Sequence, residues 1–263
     1  MSNDPVTLDI QDSIARINFN RPDSFNAINT EAVIKLHEIV NKLYSNKKVR
    51  VVILSGSGDK AFCAGGDVSE FSQAGDSIDQ MVREMTSYLH VSISRLAWLN
   101  APVIARVNGV AAGAGLSFVA CCDLAISINS ATFTSAYTKI GFTPDGSSTF
   151  FLPRLIGRKR VLELYLTNRV LSAEEALEWG LINRVTSGQD LDLETDKLAQ
   201  TLARGPTKAF GGIKKLVMMS PNDSLESQME RETRYIAEMT VSKDGLEGVT
   251  AFVEKRKPNF TGE

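Results

Sequence analysis

Two glycine-rich turns each follow a run of β-branched residues: Ala61-Phe62-Cys63-Ala64-Gly65-Gly66-Asp67 follows Val51-Val52-Ile53-Leu54, and Asn108-Gly109-Val110-Ala111-Ala112-Gly113-Ala114-Gly115 follows Val103-Ile104-Ala105. Glycine lets ligand atoms approach the backbone closely, because it has no side chain in the way. Two such turns on neighbouring strands can aim two main-chain N–H groups at one point, which is the geometry of an oxyanion hole. The turns therefore indicate a site lined by backbone.

Two other interpretations of these turns compete with the oxyanion hole. A dinucleotide site needs G-x-G-x-x-G opening a long helix, with an acidic residue about 20 positions further on. The spacing of Gly109, Gly113 and Gly115 does not match this pattern, and no Walker lysine is present. Tight turns that only serve packing remain an alternative. In an oxyanion hole, the N–H of Ala114 would lie at a helix N-terminus, where the helix dipole favours negative charge.

The composition is that of an ordinary soluble globular protein, with 43% hydrophobic and 23% charged residues. A net charge of −2 provides no electrostatic footprint for nucleic acid, and no apolar stretch approaches the roughly 20 residues that span a bilayer. We therefore expect neither a nucleic-acid nor a membrane partner. The cysteines Cys63, Cys121 and Cys122 lack a metal-binding spacing, and their odd number fits a reducing cytosol. A cytoplasmic protein without a metal site is expected.

Strands alternate with helices over most of the chain. Alternating polarity predicts a hairpin over residues 6–19, and Asn29-Thr30 caps a predicted helix over residues 31–44. Buried strands are predicted at 49–54, 102–107 and 123–128, and helices at 78–99, 116–121, 149–156 and 158–166. From about residue 195 onward the pattern is entirely helical. This organisation predicts an α/β core over residues 1–194 and a C-terminal helical subdomain over residues 195–263.

Asp145 is the most suggestive acidic residue. It lies between Pro144 and Gly146, within an otherwise apolar stretch over residues 140–152. An aspartate in such a loop is often a helix N-cap, whose side chain accepts a hydrogen bond from a backbone N–H two or three residues on. Alternatively, a carboxylate in an apolar pocket can act as a general base. The residues around Asp145 leave both roles open.

The two histidines give little support for nucleophilic serine catalysis. No G-x-S-x-G motif is present to supply the nucleophile. His37 falls on the polar side of its predicted helix and is expected at the surface. His90 lies between Leu89 and Val91 and is expected to be partly buried in the core, with an active-site role as the alternative.

Further motifs extend along the chain: Asn20-Arg21-Pro22, Phe25-Asn26-Ala27, Pro153-Arg154-Leu155-Ile156-Gly157, Leu171-Ser172-Ala173-Glu174-Glu175-Ala176 and Glu247-Gly248-Val249-Thr250-Ala251-Phe252. Together with the two turns, they make essentially the whole chain resemble the crotonase (enoyl-CoA hydratase/isomerase) superfamily. The resemblance implies a crotonase-like spiral of ββα repeats with a C-terminal helical trimerisation subdomain. It also implies homotrimers, which often pair into hexamers.

The resemblance further implies an acyl-CoA thioester as substrate and no cofactor besides the coenzyme A of that substrate. The thioester oxygen would accept hydrogen bonds from the backbone N–H groups of Gly66 and Ala114. Lys255 would meet the phosphates of coenzyme A, and Tyr137 would contact the substrate. The adenine and pantetheine path would be lined by Ala64, Gly65, Asp67 and Val68.

The sequence departs from the hydratases where their two glutamates activate water. The resemblance places these positions at Ser117 and Tyr137, neither of which is acidic. Asp145 stands where hydratases usually have glycine, and an aspartate there resembles the phenylacetate-pathway isomerases. Chlorobenzoyl-CoA dehalogenases also carry an aspartate there as nucleophile, with a histidine like His90. Their tryptophan near the ring is Tyr137 in this chain.

The resemblance and the departures together predict an acyl-CoA isomerase. It would convert a 3-enoyl-CoA to a 2-enoyl-CoA, with Asp145 as single base, in degradation of the fatty-acid or phenylacetate type. Gly66 and Ala114 would stabilise the enolate. The alternatives are an enoyl-CoA hydratase, an aryl-CoA dehalogenase or a non-catalytic acyl-CoA-binding member of the family.

Overall fold

The computed structural model describes residues 4–263, in which strands and helices alternate up to residue 186. The strands are β1 (Val6–Gln11), β2 (Ile14–Phe19), β3 (Val51–Gly56), β4 (Ala61–Cys63), β5 (Val103–Val107), β6 (Val110–Ala112), β7 (Leu124–Ile128), β8 (Thr132–Thr134), β9 (Val170–Ser172) and β10 (Arg184–Thr186). The helices are α1 (Thr30–Ser45), α2 (Val68–Ala74), α3 (Ile78–Trp98), α4 (Ala114–Cys121), α5 (Ser148–Ile156), α6 (Arg158–Thr167), α7 (Ala173–Trp179), α8 (Leu191–Ala203), α9 (Thr207–Met219), α10 (Leu225–Thr240) and α11 (Lys243–Val253).

The strands form two sheets, and from β3 to β8 consecutive strands alternate between them. The first has the order β1-β2-β3-β5-β7-β10 and is parallel except for the β1–β2 hairpin. The second has the order β4-β6-β8-β9. Each of β3, β5 and β7 in the first sheet is followed along the chain by β4, β6 or β8 in the second sheet, and then by helical segments. This repeated strand–strand–helix path is the predicted spiral, so the predicted α/β fold class is confirmed.

The core lies between the sheets and the helices that cover them. All six residues of β3 are buried, as expected for a parallel strand covered on both faces. The rings of Phe19, Phe62 and Phe118 are also fully buried, with centroids 5.7 Å apart for Phe19–Phe62 and 5.0 Å apart for Phe19–Phe118. Helices α1 and α3 pack against each other through their apolar faces. Burial of these faces is the main stabilising contribution.

The short elements differ most from the sequence-based expectation. Helix α2 follows the first glycine turn directly, whereas the sequence indicated only a polar stretch before the helix at residue 78. Strands β9 and β10 were not expected either. Each has only three residues, which is too short to show a periodicity. Helix α7 begins at a reciprocal capping box formed by the side chains of Ser172 and Glu175.

The expected boundary between residues 194 and 195 falls inside α8, which packs on strands β3, β5 and β7 of the first sheet. The chain beyond Val253 is not helical, although the pattern from residue 195 predicted helix throughout. Buried Asp244 anchors the C-terminal segment, because its carboxylate accepts hydrogen bonds from the N–H groups of Thr261 and Gly262.

Among residues 4–263, no helix combines the length and the hydropathy required to cross a membrane.

The two glycine turns pack main chain against main chain. A Cβ atom at Gly115 would overlap the carbonyl oxygen of Cys63, at the end of β4. A Cβ atom at Gly65, where φ is +96°, would lie 3.0 Å from the carbonyl oxygen of Ala112 and 3.4 Å from the nitrogen of Ala114. Glycine is required at these positions because any side chain would force the end of β4 away from the second turn and the start of α4.

Gly115→Ala is therefore expected to lower the free energy of unfolding by about 3 kcal/mol or more. Overpacking typically costs about 1–3 kcal/mol, and the obstacle here is backbone that cannot rotate away. Urea unfolding followed by circular dichroism measures the change. Gly188→Ala is the matched control, since no heavy atom lies within 4 Å of its Cβ position. Similar losses in the two variants would contradict the close approach at Gly115.

Candidate active site

The backbone N–H of Gly66 is left free by the way the first turn is bonded. The N–H of Ile28 donates to the carbonyl oxygen of Gly65 at 2.7 Å, and the N–H of Asp67 donates to that of Ile28 at 2.9 Å. This parallel bridge uses the residues on either side of Gly66. The N–H of Gly66 donates to no acceptor within residues 4–263.

The second free N–H belongs to Ala114, the first residue of α4. The first N–H groups of a helix have no intrahelical partner, and the N–H of Ala114 meets no acceptor in the described part of the chain. It lies beside the first turn, as the short distance from Gly65 shows. The structure thus brings together the two predicted turns, and with them two unpaired backbone donors at a helix N-terminus, where negative charge is favoured.

Asp145 does not cap a helix with its side chain. The N-cap residue of α5 is Ser147, and Asp145 contributes only its carbonyl oxygen, which accepts hydrogen bonds from the N–H and the hydroxyl of Ser148. The carboxylate is turned elsewhere: Oδ1 accepts a hydrogen bond from the Tyr137 hydroxyl at 2.6 Å, and Oδ2 lies 3.8 Å from Nε2 of His90. The capping interpretation is therefore wrong, and the carboxylate is available for chemistry.

Tyr137 and Ser117 both contact Asp145, and neither of them carries a carboxylate. The Ser117 hydroxyl lies 3.4 Å from the Tyr137 hydroxyl and 3.1 Å from the carbonyl oxygen of Asp145. Burial and the neighbouring charge of Asp145 raise the pKa of Tyr137 well above its usual value, so the phenol stays protonated. A ring carbon of Tyr137 lies 3.9 Å from the Cβ position of Gly113, which connects this cluster to the second turn.

His90 is exposed, and the expectation that it is partly buried in the core is wrong. Its apolar neighbours Leu89 and Val91 do not indicate whether His90 is buried, because adjacent residues of a helix lie on different faces. Leu89 is buried, whereas Val91 is exposed. The side chain of His90 is 53% exposed and its Nε2 accepts a hydrogen bond from the N–H of Gly146 at 3.4 Å. His37 is half-buried against Tyr88 and so is not fully at the surface as expected.

A cleft of about 620 Å³ lies beside the first turn. Of the predicted substrate-binding residues, Asp67 and Val68 line it, whereas Ala64 and Gly65 belong to the turn itself. Lys255 follows α11, is exposed and does not line this cleft within the single chain. Arg21, which belongs to the motif Asn20-Arg21-Pro22, also lies at this cleft and was not among the predicted site residues. Its guanidinium lines the cleft and pairs with the Asp67 carboxylate at 2.9 Å.

A second, apolar groove of about 300 Å³ begins at His90 and runs between α3, α5 and α9. Ile93 and Ala97 line it from α3, Phe150 from α5, and Met218 and Met219 from α9. The groove therefore adjoins the carboxylate of Asp145 through the imidazole of His90.

Burial raises the pKa of the Cys63 thiol to about 12, so it remains an unreactive thiol near neutral pH. Within residues 4–263, no group of three or more His, Cys, Asp and Glu side chains is placed to hold a metal ion.

The family described as enoyl-CoA hydratase/isomerase matches residues 9–263. The chain belongs to the enoyl-CoA hydratase/isomerase family. It is 36% identical to the 1,2-epoxyphenylacetyl-CoA isomerase of Escherichia coli (strain K12), over 97% of each chain. It is also 36% identical to 4-chlorobenzoyl coenzyme A dehalogenase-2 of Arthrobacter sp, over 88% of this chain and 84% of that protein. The resemblance to the crotonase superfamily is therefore confirmed.

The structural comparison agrees with the family. The fold matches the crystal structure of an enoyl-CoA hydratase from Bacillus anthracis with a TM-score of 0.92 and 33% identity, over 98% of this chain and 100% of that chain. The similar proteins are named for three different reactions of coenzyme A thioesters. Membership of the enoyl-CoA hydratase/isomerase family thus does not determine which of these reactions the chain catalyses.

The ion pair of Arg21 and Asp67 predicts a pH dependence of stability. Burial acts to raise the pKa of Asp67, but the hydrogen bond and charge of Arg21 outweigh it and hold that pKa below its usual value of 3.8. A lowered pKa stabilises the folded state above pH 3.8, and this contribution is lost as the pH falls through the folded-state pKa.

We expect Asp67→Asn to lower the free energy of unfolding at pH 7 by about 1.5 kcal/mol. This is the lower end of the range for hydrogen bonds to charged groups, because asparagine can still accept the capping hydrogen bond from Ser69. The difference from the unsubstituted chain should narrow as the pH is lowered from 7 to 3. Urea unfolding over this pH range measures it. A difference that stays constant with pH would show that Arg21 does not stabilise the ionised carboxylate.

Proposed function

We propose that this member of the enoyl-CoA hydratase/isomerase family is an acyl-CoA isomerase that moves a carbon–carbon double bond from the 3,4 to the 2,3 position. The observation that carries the proposal is a single carboxylate, that of Asp145, connected through Tyr137 to the turns bearing two unpaired N–H groups. Moving a double bond relocates one proton and adds no water, so one base is sufficient.

In the proposed reaction, the thioester oxygen accepts hydrogen bonds from the N–H groups of Gly66 and Ala114. Asp145 removes a proton from the α-carbon, and the electron pair of that C–H bond delocalises both onto the adjacent thioester oxygen and across the alkene to the γ-carbon, giving a dienolate. The carboxyl group then returns the proton to the γ-carbon. The donors strengthen their bonds as charge develops on the oxygen, and one such donor typically contributes about 100- to 1000-fold in rate.

Hydration is less well supported by the residues around Asp145. Adding water across a double bond requires a base for the water and an acid for the carbon, which the resemblance assigns to two glutamates. Ser117 and Tyr137 stand in those places. The Tyr137 phenol has a raised pKa and already donates its proton to Asp145, so it is unsuited to activating water.

The cleft lined by Asp67 and Val68 is proposed to bind coenzyme A, with Arg21 at its edge. In a homotrimer or a hexamer, Lys255 would reach the phosphates from a neighbouring subunit. The C-terminal helices support such an assembly, since they expose large apolar side chains that a single chain leaves in water. These side chains are Ile213, Val217, Leu225, Ile236, Leu246, Val249, Phe252 and Val253.

Asp145→Asn is the direct test of the isomerase. The amide keeps an oxygen that can accept the Tyr137 hydrogen bond but cannot take a proton, so we expect the rate to fall about 100- to 10,000-fold. Conversion of a 3-enoyl-CoA to the conjugated 2-enoyl-CoA is followed by absorbance, and crotonyl-CoA hydration is measured on the same preparations. Full activity of the variant, or rapid hydration by the unsubstituted chain, would contradict the proposal. Binding of acyl-CoA without any turnover would support the non-catalytic alternative.

The apolar groove beside His90 is proposed to hold the acyl group beyond the reacting carbons. Ser94 is exposed and lines this groove, so Ser94→Trp should fill it without disturbing the core. We expect KM for 3-dodecenoyl-CoA to rise about tenfold, because at least two methylene groups lose burial worth about 0.8 kcal/mol each. KM for 3-hexenoyl-CoA is the internal control and should stay unchanged. Equal effects on both substrates would place the acyl group elsewhere.

Hydrolytic dehalogenation of an aryl-CoA is the second candidate, because His90 lies 3.8 Å from Asp145. In that reaction the Asp145 carboxylate would displace the halide from the ring, and His90 would activate water to hydrolyse the resulting aryl ester. Halide release from 4-chlorobenzoyl-CoA, abolished by His90→Gln, would favour this candidate over the isomerase.

A further inference from the structure

The hydroxyl of Tyr137 makes a short polar contact, 2.6 Å to Oδ1 of Asp145. The raised pKa of this phenol keeps its proton on the tyrosine oxygen. Tyr137 is therefore a permanent donor that does not compete with substrate carbon for the proton. Hydrogen bonds from a neutral donor to an ionised carboxylate are among the short and strong ones.

The backbone holds Tyr137 in place on both sides. Its N–H donates to the carbonyl oxygen of Ser135 at 2.8 Å, and its carbonyl oxygen accepts from the N–H of Phe142 at 3.1 Å. Tyr137 also begins a 3-10 turn that ends at Ile140. The phenol is thus mounted on a tight loop and its position does not depend on a bound substrate.

The backbone carbonyl oxygen of Asp145 is contacted by a second group of donors. The hydroxyl of Ser117 and the N–H and hydroxyl of Ser148 all lie within 3.2 Å of its carbonyl oxygen. The Ser117 hydroxyl also lies 3.3 Å from the carbonyl oxygen of Gly113, at the start of α4. The backbone of the proposed base is therefore tied to the helix whose first N–H belongs to the proposed oxyanion hole.

The two oxygens of the carboxylate consequently differ. Oδ1 is occupied by Tyr137, whereas Oδ2 accepts no hydrogen bond from any residue in the range 4–263 and faces His90 across 3.8 Å. The side chain of Asp145 is 32% exposed, so a ligand can reach the carboxylate. The sequence-based prediction is that Tyr137 contacts the substrate, and the structure adds that its hydroxyl donates a hydrogen bond to Asp145.

We propose that Tyr137 is a positioning residue that binds Oδ1 and reserves Oδ2 for the proton during isomerisation. This inference rests on the proposed function and deepens it. With Oδ1 bound, the carboxyl group cannot rotate freely, and the proton taken from the α-carbon stays on the oxygen that faces the γ-carbon. Ser117 and Tyr137, which stand where the resemblance places two glutamates, thus support a third residue that acts as the base.

Tyr137→Phe tests the proposal with 3-hexenoyl-CoA in D2O. We expect kcat to fall about 10- to 100-fold, the range that corresponds to losing a hydrogen bond to a charged group, with KM changed less than about twofold. The fraction of product carrying solvent deuterium at the γ-carbon should rise, because an untethered carboxyl group exchanges its proton before returning it. Tyr137→Trp restores an N–H donor and should recover part of kcat.

Tyr44→Phe is the matched control, since its exposed hydroxyl lies outside the site, and it should leave every measurement unchanged. A raised KM with normal kcat in Tyr137→Phe would assign Tyr137 to substrate binding and overturn the proposal. Unchanged kcat and deuterium content would overturn it as well. Unfolding midpoints of both variants verify that the fold is intact.

A separate exchange assay distinguishes failure of the proposed isomerase reaction from failure of the positioning role of Tyr137. Exchange of the α-protons of butyryl-CoA with D2O needs only the base and the oxyanion hole, and no double bond. If the unsubstituted chain exchanges these protons but does not isomerise, the proposed reaction is wrong, and a 10- to 100-fold slower exchange in Tyr137→Phe still supports the positioning role. Absence of both exchange and isomerisation in the unsubstituted chain would overturn the positioning role, since Asp145 would then be no base.

Discussion

The main-chain contact between the two glycine turns is the constraint on which the rest of the structure depends. Gly115 lies directly on the carbonyl oxygen of Cys63, and Gly65 lies against Ala112 and the nitrogen of Ala114. Strand β4 pairs with β6, and the start of α4 can approach the end of β4 only because no side chain separates them there. The same contact places the N-terminus of α4 beside the free N–H of Gly66. The packing around the small sheet thus also brings together the two backbone donors of the proposed site.

The proposed acid–base group comes from a different part of the chain, the loop between β8 and α5. Its position relative to the turns is set by side-chain hydrogen bonds, since Ser117 of α4 reaches the carbonyl oxygen of Asp145 and Tyr137 reaches its carboxylate. A base and an oxyanion hole must be held at a fixed separation for proton transfer at a carbon next to a thioester. In this chain, the neutral hydroxyl groups of Ser117 and Tyr137 hold the proposed base without introducing a second charge.

The sequence predicted the long elements well and the short ones poorly. The hairpin β1–β2 and helices α1 and α3 lie within two residues of their predicted ends, because each presents enough residues for its periodicity to be read. Helix α2 and strands β9 and β10 have seven residues or fewer and depend on pairing with distant strands or on packing. The exposure of His90 was missed because it was judged from its immediate neighbours in the chain.

The sequence by itself determined the class of fold and the two backbone turns, and its resemblance to the crotonase superfamily implied that Asp145 acts without the two glutamates of the hydratases. These are local properties of residue type and spacing. Only the tertiary structure decided that Tyr137 binds Asp145, that His90 faces it across 3.8 Å, and that Arg21 pairs with Asp67. These partners belong to separate elements, and their distances follow from how α3, α4 and the loop after β8 pack together. No local propensity encodes such a distance, because it arises from the combined packing of the whole core.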